Sequence, residues 1–116
     1  MRILLVLVAL VALGGLFTVL RPDTSGAGPQ HRTLEARIQD GKLSPATIEV
    51  YEGDQLTLRL TSDKAAELHL HGYDRELEVE PGETATLELK ADQGGRFELE
   101  DHDSGAPLGQ LVVRPR

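Results

Sequence analysis

The sequence predicts an all-β sandwich preceded by one apolar N-terminal helix, and three observations point there. Apolar residues alternate with polar ones at period two from Leu34 to the C-terminus, the pattern of strands with one face in a core and one in solvent. Turn-forming pairs and triplets interrupt that alternation at short intervals. Outside the first twenty residues no segment carries a helical period, and no repeat recurs at fixed spacing.

Residues Ile3 to Leu20 form an apolar run of 18 residues behind Arg2, close to the ~20 residues that cross a bilayer core. The chain divides into a signal anchor or signal peptide over 1–21, a linker over 22–32 rich in Pro, Ser and Gly, and a folded domain over 33–116. Ser25 and Ala27 offer the small residues that a signal peptidase inspects, while the length of the run favours an uncleaved anchor. Either reading exports the domain: an uncleaved single-pass anchor holds it on the periplasmic or extracytoplasmic side of the inner membrane, and cleavage leaves it secreted. The chain has no cysteine, which excludes disulfides, thiolate ligands and an acylated-cysteine anchor, so the domain must be stabilised by its own core.

The strands follow in order. Leu34, Ala36 and Ile38 mark the first, Ile48 and Val50 the second, Leu56, Leu58 and Leu60 the third. Glu67 to His71, Glu76 to Val79, Thr84 to Lys90, Gly95 to Glu100 and Gly109 to Arg114 complete about eight. Between them lie Asp40-Gly41, Glu52-Gly53-Asp54, Ser62-Asp63-Lys64, Pro81-Gly82 and Gln93-Gly94-Gly95. So many short strands in one small domain require two packed sheets.

From Gly28 onward 18 Asp and Glu face 10 Lys and Arg, an acidic balance that excludes nucleic acid as a partner and attracts cations. Most of these carboxylates alternate with leucine and valine as the solvated side of strands. The clustered acids Glu100, Asp101 and Asp103 do not make a catalytic pair, since neighbouring strand residues face opposite ways. No nucleophile elbow, phosphate loop or zincin helix is present, and no enzyme is expected.

His69-Leu70-His71 is the most informative stretch. Residues i and i+2 of a strand project from the same face, so both imidazoles can lean onto one ion while Leu68 and Leu70 take the core side. His102, within Glu100-Asp101-His102-Asp103, is a third candidate donor; Asp103, Glu100 or water offers a further one. Against this stands a structural reading, in which the histidines are polar residues hydrogen-bonded to Glu67 or Asp74. Asp74 suits either a turn or an acceptor that orients an imidazole; Tyr73 packs or caps the site. His31, between Gln30 and Arg32, reads as an exposed linker residue.

From Leu43 to Pro115 the chain resembles the bacterial periplasmic cupredoxin-like domains. Ser44-Pro45-Ala46-Thr47-Ile48-Glu49-Val50 with Glu52-Gly53-Asp54 is similar to that family's opening strand and Gly-Asp turn. His71-Gly72-Tyr73 resembles the segment with the first copper-ligand histidine. Pro81-Gly82-Glu83-Thr84 and Gly95-Arg96-Phe97 resemble the Pro-Gly turn and the strand leading to the ligand loop, and Gly109-Gln110-Leu111-Val112-Val113 the closing strand. The resemblance implies a Greek-key sandwich. It breaks at the loop Glu100 to Leu108, which holds neither the cysteine nor the methionine of a blue-copper centre; the chain's single methionine is Met1.

The expected metal ligands are therefore His69, His71 and His102, a set suited to an open type 2 copper site, with zinc second. The expected function is copper handling or delivery in the cell envelope, with the metal ion as one partner, an envelope protein as a possible second, and the membrane reached through the N-terminal helix. The alternative is a metal-free interaction module with a vestigial site.

Overall fold

The computed structural model describes residues 28–116, and all its regular structure is β. The strands are β1 His31–Gln39, β2 Lys42–Ser44, β3 Thr47–Tyr51, β4 Gln55–Ser62, β5 Ala66–Leu70, β6 Arg75–Val79, β7 Ala85–Lys90, β8 Gly95–Asp101 and β9 Pro107–Arg114. One sheet runs β2-β1-β4-β7 and the other β3-β9-β8-β5-β6. Period-two alternation turns one face of each sheet inward, and the core lies between them. Val50, Leu60 and Val79 are completely buried there, with Leu56, Leu58, Leu68, Leu70, Leu99 and Leu111 nearly so. The expected anchor and most of the expected linker lie outside the described residues; among those described, no helix is long and apolar enough to cross a membrane.

Two boundaries differ from the sequence expectation. The first strand begins at His31, inside the expected linker, because β1 pairs parallel with β4 over its length from His31↔Gln55 to Ile38↔Ser62. His31 Nε2 lies 2.8 Å from Thr57 Oγ1, a hydrogen bond that pins the start of the strand. The ninth strand, β2, is a three-residue piece folded back onto β1 through Asp40-Gly41. Gln39 pairs with Lys42, and Asp40 and Gly41 have φ of 53° and 75°, the two consecutive positive values that a type I′ hairpin turn demands. Three residues with one buried side chain, Leu43, are too short to show a period.

Asp54 closes the domain at the end where the chain enters and leaves. Its side chain has no exposed surface, and its carboxylate accepts from the N–H groups of Gln30 at 2.9 Å and Tyr51 at 3.0 Å. Arg116 pairs with it at the C-terminus, and Arg32 Nε lies 3.6 Å away. Burial alone pushes the carboxyl pKa up; the two backbone N–H groups, Arg116 and Arg32 outweigh it and hold the pKa below the ordinary 3.8.

Candidate metal centre

In the five-stranded sheet β5 lies between β6 and β8. Leu68 and Leu70 point into the core, so the intervening His69 faces the other side. Across the strand gap His69 pairs with Glu100 on β8 and with Glu76 on β6. Glu100 stands where the β8–β9 register shifts, pairing with Pro107 while Leu99 pairs with Gly109. Leu108 is thus the extra residue of a bulge on β9, a feature that bends a strand locally.

His71 lies one residue beyond β5, in the turn to β6, with its backbone N–H donating to Glu98 O at 3.0 Å. This continues the β5–β8 ladder and keeps the imidazole beside that of His69, the ring centroids 4.5 Å apart and tilted by 52°. Gly72 makes the turn possible. Its φ of 86° is left-handed, and a Cβ there would run into the Phe97 ring. Tyr73 packs edge-on against Phe97 at 4.8 Å. Its hydroxyl donates to Gln93 O at 2.7 Å and accepts from Gln93 N–H at 3.0 Å. Burial raises the Tyr73 pKa, the Gln93 contact opposes it, and Asp92 and Glu52 add to it, so the phenol stays neutral and structural.

One carboxylate oxygen stands close to both rings. Glu100 Oε1 is 2.7 Å from His71 Nε2 and 3.8 Å from His69 Nδ1. Asp74 Oδ1 lies 3.5 Å from His69 Nε2 on the other side. His69, His71 and Glu100 each offer a ligand atom within 4.8 Å of the other two; His69 and Glu100 are partly buried, while His71 keeps 45% of its side-chain surface exposed. A divalent ion with ligands at about 2 Å can be held by three such atoms after small side-chain rotations. Two imidazoles and a carboxylate suit Cu(II) or zinc; they do not fit a blue-copper centre, which requires a thiolate.

His102 stands outside this trio but beside it. Its ring lies edge-on to that of His69, centroids 5.9 Å apart. The sequence reading offers Glu100 only as one alternative among three for a further ligand. Its central place follows from the His69↔Glu100 pairing, which is invisible until the register is known. Asp74 sits in the turn with φ of 54°, and its exposed carboxylate lies 3.5 Å from His69 Nε2 without a hydrogen bond to it. His31 is remote in the fold, in the other sheet.

Comparison with known proteins agrees with this architecture. A model of the cupredoxin-like domain matches residues 7–113. No curated protein matches the chain. A solved copper binding protein in its apo form is similar at a TM-score of 0.63 and 14% identity, over 72% of this chain and 88% of that one. A chain of a heme-copper terminal oxidase dimer is similar at 0.61 and 15% identity, over 97% of both chains. The metal binding domain of a Cu(I) exporting P-type ATPase from Streptococcus pneumoniae, solved with Cu(I), is similar at 0.63 and 14% identity, over 72% of this chain and 85% of that one. At such identities the likeness is one of fold. The family match covers most of the sequence, and the chain belongs to the cupredoxin-like domain family.

Proposed function

We propose that this chain is an exported, membrane-tethered copper-handling protein that carries a divalent ion, Cu(II) before zinc, on His69, His71 and Glu100. The observation that carries the reading is the position of Glu100 Oε1 against both imidazoles, because it gathers three good donors for a borderline ion at one point on the sheet surface. Neutral imidazole binds Cu(II) most tightly among the first-row divalent ions. The acidic balance of the domain raises the local concentration of cations around it. The apolar N-terminal run would hold the domain at the extracytoplasmic face of the membrane, where an envelope protein could accept the ion. The role read from this donor set is binding and transfer of the ion.

Calorimetric titration of the full-length chain, held in a non-chelating detergent, with Cu(II), followed by EPR, tests this. One-to-one binding with a nitrogen-rich type 2 spectrum, weakened at least about 10-fold in His71→Ala and in Glu100→Ala, is the expected result. Weak binding unaffected by either substitution overturns it and leaves a metal-free interaction module.

A further inference from the structure

We infer that His102 is a fourth, solvent-side donor, whose imidazole swings onto an ion held by His69, His71 and Glu100 with no change in the backbone. This rests on the metal reading above and goes beyond it, since the trio alone leaves the fourth position of a four-coordinate ion open.

The geometry comes from the strand ladder. Leu68 pairs with Asp101, and His102 N–H donates to Glu67 O at 2.7 Å, so the ladder extends one residue past the end of β8. His102 is therefore two residues from Glu100 along one strand, and its partner Glu67 is two residues from His69 along the other. At period two all four stand on one face, with His69 and His102 as diagonal neighbours within reach of long side chains.

The backbone under His102 is fixed by Asp101. Its Oδ1 accepts from Glu67 N–H at 3.4 Å and from Asp103 N–H at 3.3 Å, and its Oδ2 accepts from Ser104 Oγ at 3.1 Å. Asp101 N–H donates to Ala106 O, and Gly105 N–H donates to Asp101 O. The side chain is not so held. His102 is exposed, and its ring touches that of His69 without a hydrogen bond or ion pair to any described residue. His69 and Glu100, by contrast, keep only 17% and 20% of their side-chain surface exposed. The two χ torsions of His102 can turn without breaking a hydrogen bond or ion pair to any described residue. The ion then has three imidazoles and one carboxylate, with His102 and the half-exposed His71 on its solvent side.

The test is pulsed EPR of the full-length chain loaded with one equivalent of Cu(II), counting coordinated imidazoles in wild type, His102→Ala and His102→Gln. Three imidazoles in wild type and two in both variants are expected, with affinity reduced about 10-fold and extraction of Cu(II) by EDTA about 10-fold faster. Thermal melting of the metal-free variants should match wild type, because the residue is exposed. Two imidazoles in all three proteins, with unchanged extraction, overturn the role of His102 while leaving the trio intact. Absence of Cu(II) binding in wild type overturns both readings.

Discussion

Replacing Asp54 by asparagine removes a negative charge that four groups converge on, and the cost can be worked out group by group. Asn keeps one acceptor oxygen but loses the charge that binds Arg116 and faces Arg32, and it turns an N–H donor toward groups that are themselves donors. Breaking a buried ion pair costs about 3–5 kcal/mol when the orphaned charge stays buried. Here Arg32 and Arg116 keep 38% and 29% of their side-chain surface exposed and can turn to water, which places the expected loss near the lower end, about 3 kcal/mol. For a domain of this size that is a fall in Tm of roughly 12–24 °C. The pH dependence has a definite sign. A carboxyl whose folded pKa lies below its unfolded value of 3.8 stabilises the fold fully above that value, and this is lost as pH falls toward the folded pKa. Guanidinium melts of the full-length chain and of Asp54→Asn, from pH 7 to pH 3, should differ by about 3 kcal/mol at pH 7, the gap closing below about pH 4. A gap under about 1 kcal/mol at pH 7, or one that widens in acid, would refute the reasoning. Cu(II) affinity of the folded variant should be unchanged, since none of the partners of Asp54 touches His69, His71 or Glu100.

Other substitutions separate fold from site. Leu70→Ala, at a core position only 1% exposed, should destabilise by about 2–5 kcal/mol in denaturant titration. Gly72→Val forces a branched side chain into a left-handed turn against Phe97, so both Tm and Cu(II) affinity should fall, the second because His71 is displaced. Tyr73→Phe removes two hydrogen bonds to Gln93 and should cost about 1 kcal/mol by thermal melting, with Cu(II) affinity preserved.

The sandwich was legible because its signal is periodic. Leu56, Leu58 and Leu60 sit two apart and all three are buried, and Leu68 with Leu70 does the same, leaving His69 no choice of face. Elements whose evidence is pairing were not legible. β2 is three residues long, and the start of β1 at His31 depends on β4, more than twenty residues away. The site divides along the same line. His69 and His71 are near neighbours in sequence, so their meeting can be foreseen from strand geometry. Glu100 meets them only because β8 lies beside β5 with His69 opposite Glu100, and one residue of slip would have brought Asp101 or Leu99 there instead.

The donor set also bears on what kind of copper chemistry the fold can support. Soft thiolate and thioether ligands select Cu(I), while imidazole and carboxylate favour the divalent ion. The chain has no cysteine, and its one methionine lies outside the described domain, so this domain has no sulfur to offer. A carboxylate beside two imidazoles stabilises the oxidised state and disfavours the shuttling between oxidation states on which blue-copper electron transfer depends. An open, nitrogen- and oxygen-lined centre exchanges its ion through solvent-facing positions more readily than a closed thiolate one. On the proposed reading, a centre of imidazole and carboxylate donors without sulfur favours carrying an ion over carrying an electron.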